Sequence, residues 1–311
     1  MSAQTDIDNF TSATNDRFAN DPSFVGAGFD FSGIGRTTQG NGRFATLISD
    51  NVFLTANHFR AAGEVTFFAD NDPSSTPIVR TITGGQQIGT SDFFIGTFGE
   101  ALPDSIARYD FFTGGLDLTT TMTGETLLTS LAPGADVNDT PASGSVVGLS
   151  GGPTVFLGGV SPSNNFGDTT NLTIGTNVVD FVQENSVIGS GSGAISNSIA
   201  LLTIQNESGD AGFLTTMFEA DLNGGDSGSP LLTAVDGELV LLGLGSGSGT
   251  VDLGGDGASL ERDTSIFSFT GNYAEDITDF IEANRASSIP EPSSVVLALT
   301  ACLGLIGRRQ R

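Results

Sequence analysis

The feature that most restricts the fold is punctuation. Short apolar runs recur along most of the 311 residues, and Gly, Asn, Asp or Ser stops nearly every one. Runs this short are strand-length rather than helix-length, and the stopping residues are those that tight turns need. In the first half they fall at 24–29, 43–48, 52–56, 64–68, 77–82 and 91–98. Ser49-Asp50-Asn51, between the second and third, reads as a hairpin turn. In the second half they fall at 145–149, 154–158, 171–174, 177–182, 200–204, 213–218 and 239–249, with Ile266 and Phe267 in a last strand. One segment breaks the pattern: over 273–284, Ile277, Phe280 and Ile281 take helical spacing with acids early, which predicts a C-terminal helix. The expectation is an all-β chain, long enough for one large domain or two small ones.

Counts exclude several chemistries. The net charge is −25 and every basic residue is Arg, so no electrostatic footprint for nucleic acid is present. Anionic membrane surfaces repel such a chain. The one cysteine, Cys302, lies in the terminal apolar tail, so the body has no internal disulfide, thiol nucleophile or Cys-rich zinc site. Without lysine, a Ser-Lys dyad is impossible. The one histidine is His58, and any mechanism with a histidine base must use it. Neither metal nor cofactor is expected. Asp70-Asn71-Asp72 lacks the remaining ligands of a calcium loop and reads as a solvated turn.

Asn223-Gly224-Gly225-Asp226-Ser227-Gly228-Ser229-Pro230 places a serine between glycines on a tight turn. Glycine admits positive φ and a close backbone approach. The amides of Gly225 and Ser227 can then converge on one point, as an oxyanion hole requires. Taken alone, the stretch is equally a Gly/Asp/Ser surface turn.

Three blocks together carry a resemblance. Leu47-Ile48-Ser49 followed by Val52-Phe53-Leu54-Thr55-Ala56-Asn57-His58, then Ser91-Asp92-Phe93-Phe94-Ile95, then Gly225-Asp226-Ser227-Gly228 resemble the histidine, aspartate and serine blocks of the trypsin-like (chymotrypsin-fold) serine proteases, in that family's order. Asn57 stands where the family has a small Ala, and Phe59 where it often has Cys. The resemblance covers residues 25–285. It implies a double six-stranded β-barrel with the site in the cleft between barrels, and an endopeptidase acting on peptide or protein substrates. Ser227 would be the nucleophile, His58 the base and Asp92 its orienting acid, with Gly225 and Ser227 forming the oxyanion hole. Asp110, before Phe111, is the reserve candidate for the acid. Asp221 would line the floor of the S1 pocket and favour a basic P1 residue. The run 239–249 resembles the strand flanking that pocket, which puts Ser246 and Ser248 among the substrate-binding residues; Gly247 stands where the family often has an aromatic. Asp226 would receive a new N-terminus after cleavage, and Val25-Gly26 faintly resembles such a start. Two other readings stay open: a non-catalytic surface adhesion or matrix module on the same fold, and an esterase using the same triad. An α/β-hydrolase is disfavoured because no histidine follows the serine.

The ends differ from the body. Residues 1–22 are polar and without an apolar signal region, and read as an N-terminal arm or pro-segment. Residues 23–285 form the peptidase-like domain, and residues 286–311 a separate short hydrophobic tail. In it Pro290-Glu291-Pro292 precede an apolar run over 294–307 and then Arg308, Arg309 and Arg311. The run is short for a comfortable membrane span, and the arginines mark a cytoplasmic end. The three parts in this order resemble the PEP-CTERM sorting signal of bacterial exported proteins. That implies an exported protein of the cell envelope or extracellular space, transiently anchored and recognised by an exosortase-type enzyme. Export needs a signal that the first 22 residues do not supply, so the natural start is expected upstream.

Overall fold

A computed structural model describes residues 5–38, 42–114, 146–148, 153–160, 168–188, 195–205, 216–252 and 261–285. The sorting tail and the glycine-rich stretch 189–193 lie outside the described residues.

The chain opens with β1 (Asp6–Ile7) and a short helix α1 (Ser12–Asn15), capped by the Thr11 hydroxyl, which accepts from the Thr14 N–H. Six strands then form a closed barrel: β2 (Ile34–Thr37), β3 (Phe44–Leu47), β4 (Val52–Ala56), β5 (Glu64–Phe67), β6 (Ile78–Gln87) and β7 (Phe93–Phe98). All pairings are antiparallel, in the order β2-β3-β4-β7-β6-β5. The hairpin at 49–51 joins β3 to β4 with Leu47 opposite Phe53. Every residue of β4 is buried. Phe53 points into the barrel, stacked 4.6 Å from Phe98, whereas Val52 and Leu54 belong to the apolar cluster outside it. A strand covered on both faces reads as a continuous apolar run, which is why 52–56 does not alternate.

The second half holds β8 (Asp110–Phe111), β9 (Val146–Gly148), β10 (Thr154–Gly159), β11 (Thr173–Val178), β12 (Phe181–Ile188), β13 (Ile195–Ile204), β14 (Ala220–Asp221), β15 (Pro230–Val235), β16 (Glu238–Asp252) and β17 (Glu261–Phe269). Apart from β14, which pairs with β1, these strands form one nine-stranded sheet running β11-β10-β15-β16-β17-β13-β12-β9, with β8 beside β16. Only Val179 and Asp180 separate β11 from β12, so these two strands, far apart along the path, are halves of one bent strand. Its first part pairs with β10 and its second with β13. The bend is fastened where the Asp180 N–H donates to Leu202 O and the Asp180 carboxylate accepts from the Ile204 N–H at 2.8 Å. The sheet closes through that strand into a ring of β15, β10, β11/β12, β13, β17 and β16. The all-β, double-barrel expectation therefore holds, with β8 and β9 added to the second ring.

Helix α2 (Ala274–Arg285) ends the described chain. It buries Ile277 and Ile281 in the cluster between the barrels, and Tyr273, just before it, packs edge-on against Phe93. Two strand expectations change. Residues 24–29 form turns rather than a strand: the Ala27 N–H returns to Phe24 O, and the Phe29 N–H to Gly26 O. The apolar side chains there are buried by ring packing, Phe24 against Phe31, without a ladder. Of 213–218 only Thr216 onward is described. Met217 is exposed in a turn, and the strand begins at Ala220.

Candidate active site

The β4–β7 ladder brings the first two residues together. Ala56 lies opposite Phe93, so the chain leaving β4 faces the chain entering β7. There the Asn57 N–H donates to Asp92 O at 2.6 Å, and the His58 N–H to the Asp92 carboxylate at 2.9 Å. The same carboxylate meets His58 Nδ1 at 2.8 and 3.0 Å. Asp92 is 3 % exposed, whereas the His58 side chain is 29 % exposed. An ionised carboxylate only accepts, so Nδ1 carries the proton and Nε2 is left as the acceptor. His58 Nε2 lies 2.8 Å from Ser227 Oγ, across the gap between the barrels.

Ser227 sits on the turn between β14 and β15. Gly225 has φ +112° and Gly228 φ +83°, both closed to most side chains. Gly228 also needs to be small: a Cβ there would lie 3.0 Å from the Ala56 amide nitrogen of the other barrel. The Gly228 N–H donates to Gly245 O at 2.7 Å, and the Gly245 N–H to Ser229 O at 2.8 Å, which fixes the turn to β16. The N–H groups of Gly225 and Ser227 have no acceptor among the described residues.

Asp226 points inward and is 1 % exposed. Its carboxylate accepts from the Val160 N–H at 2.8 Å and the Asn223 N–H at 2.9 Å. Burial pushes it up to about 6, opposed by those N–H groups and by the nearby Arg36 guanidinium. Val25, the suggested new start, donates its N–H to Thr14 O within a turn.

The specificity candidates lie close by. Asp221 is 5 % exposed and accepts a short hydrogen bond from the Ser265 hydroxyl. Burial raises it to about 7; Ser265 counteracts this, while Asp263 and Asp6 add to it. Among the described residues no arginine pairs with it. Ser246 is buried with its hydroxyl 2.5 Å from that of Ser268, and Ser248 is exposed further along β16. Asp110 is exposed on β8 beside Val240, and all the carboxylate contacts of His58 go to Asp92. The Asp70 and Asp72 carboxylates are occupied within their own loop by Ser74, Ser75 and backbone N–H groups. Among the described residues no cluster of potential metal ligands occurs.

Two buried arginines escaped the sequence reading. Arg36 on β2 donates to Gly42 O in its own barrel and to Asn171 O in the second. Arg17 donates to Phe68 O and Asn71 Oδ1 of the first barrel, while its N–H reaches Leu172 O of the second. Arg17 lies in the polar 1–22 segment and Arg36 between Gly35 and Thr37, so nothing local marks either as buried or reveals which carbonyls it serves.

No model of a known protein family matches the chain, and no curated protein matches it. Among solved structures it is similar to the crystal structure of an inactivated protease paralogue of the scabies mite, S-D1, at 13% identity and a TM-score of 0.44, over 80% of this chain and 91% of that one. The fold assignment rests on the strand order above.

Proposed function

We propose that the chain is a serine endopeptidase, as its resemblance to the trypsin-like proteases implies. The observation that carries this reading is the continuous contact from Asp92 through His58 to Ser227, spanning both barrels. Ser227 Oγ attacks the peptide carbonyl as His58 Nε2 takes its proton, giving a tetrahedral oxyanion. The unengaged N–H groups of Gly225 and Ser227 stabilise that charge. The imidazolium, held by Asp92, then protonates the leaving amine, and water reverses the sequence on the acyl-enzyme. Asp221, a buried carboxyl short of a cation, supports a basic P1 residue.

The tail makes this an exported protein in our reading. Pro290, Glu291 and Pro292, the apolar run and the terminal arginines serve as a sorting signal for an exosortase-type enzyme. The anchor rests on the tail alone, since no helix among the described residues is long and apolar enough to cross a membrane. The mass of the mature protein reports both processed ends; a tail retained intact in the mature form overturns the sorting proposal.

A fluorophosphonate probe tests the activity. The folded protein is expected to label and to cleave casein, and Ser227→Ala to do neither. Labelling with hydrolysis of esters but not peptides replaces the protease with an esterase. Absence of labelling replaces it with a non-catalytic surface module.

A further inference from the structure

The segment that reads as a loose arm or pro-segment is built into the site. Thr5 donates its N–H to Val160 O at 3.2 Å, and the Val160 N–H is one of the two that hold Asp226, the residue before the serine. Asp6 and Ile7 form β1 against Asp221 and Ala220, on the strand that leads into the nucleophile turn. The Asp8 N–H donates to Glu219 O. Ile7 is 5 % exposed and packs in one cluster with Leu157, Ala220, Leu222 and Leu231. Further along, Asn15 donates to Ile174 O, Asp16 bridges Thr173, and the 1 %-exposed Arg17 reaches into the 68–71 loop of the first barrel.

We propose that residues 5–19 are a permanent brace of the nucleophile turn, with Ile7 and Arg17 as positioning residues, so that release of the arm switches the site off. The inference rests on the endopeptidase reading. One end of the brace orders the strand and carboxylate that shape the Gly225–Ser227 turn. The other end ties the barrel carrying His58 and Asp92 to the barrel carrying Ser227. A released pro-segment predicts the opposite, since removing it turns a site on. Burial argues for permanence: removing the arm uncovers Ile7 and Phe18 together with the apolar surfaces beneath them, and leaves Phe68 O without its arginine donor.

The test uses the whole protein with a specific protease site placed in the exposed 20–23 loop. After folding, the chain is cut there and the arm washed away. Two quantities are read: fluorophosphonate labelling rate, and hydrogen exchange of residues 219–228. Labelling is expected to fall by about two orders of magnitude, the scale of losing one preorganised oxyanion donor. Exchange at 219–228 rises while the β2–β7 barrel stays protected. A synthetic peptide of residues 5–20 restores both, and the same peptide carrying Arg17→Ala does not. An arm-free protein that labels at the intact rate with unchanged protection overturns the proposal. If the arm-free protein unfolds, Ile7→Ala in the intact chain decides: the brace requires a fall in kcat with KM unchanged, and an unchanged kcat overturns it. Should the intact protein fail to label, the protease reading fails, and exchange at 219–228 still tests the brace by itself.

Discussion

A methyl group at position 228 would sit 3.0 Å from the Ala56 nitrogen, on a backbone already at φ +83°. Gly228→Ala is therefore expected to cost roughly 1–3 kcal/mol in strain. It is also expected to push Ser227 away from His58, so that kcat falls more than thermal stability does; stopped assays and a melting curve on one sample check both. In the proposed mechanism Asp92 acts on the tautomer. Asp92→Asn keeps the shape but can donate to Nδ1, which moves the imidazole proton to Nε2, where the serine proton must go. A loss of about 10⁴-fold in kcat is expected, with the fold unchanged by circular dichroism. Sequence made these residues visible because the short blocks around them resemble those of the trypsin-like proteases. It was silent on Val160, whose backbone N–H holds Asp226 from across the second barrel.

At the scale of elements, the two barrels are held in register by side chains that carry positive charge into the interior. Arg36 joins β2 to the 168–171 loop and lies over the Phe44 ring at 4.8 Å. Burial lowers it to about 10, still charged at neutral pH. Arg36→Met is expected to destabilise by about 3 kcal/mol or more, because the carbonyls of Gly42 and Asn171 lose their donor and Asp226 loses a nearby cation. Urea unfolding monitored by fluorescence checks it. Strands with ladder partners close in sequence, β3 to β4 above all, could be read from their turns. Residues 24–29 could not, nor could 216–218, because an apolar run says that a segment is buried and not whether a neighbour offers it a ladder.

For the whole molecule, buried acids contribute to the response to pH. Burial pushes Asp180 up to about 7 from its ordinary 3.8, with Glu219 adding to the shift and the Ile204 N–H opposing it. Asp221 behaves alike, through burial, Asp263 and Asp6. A folded-state value above the unfolded one means that the folded protein binds protons more tightly. The stability from these groups is complete below about 3.8 and is lost as pH rises through 7. The melting temperature is expected to rise as pH falls from about 8 to 5, and Asp180→Asn to flatten that slope; calorimetry across the range checks it.

The sequence by itself determined the strand-rich class, the C-terminal helix and the one histidine that any histidine-dependent mechanism would have to use, because punctuation, helical periodicity and composition are local properties. It also ordered histidine, aspartate and serine along the chain. Tertiary structure alone decided that Asp92 rather than Asp110 meets His58, that the second ring closes through the bend at Val179 and Asp180, and that the N-terminal arm pairs with β14. Each of those outcomes depends on groups far apart in the chain, satisfying backbone donors and covering apolar surface only once both barrels are folded.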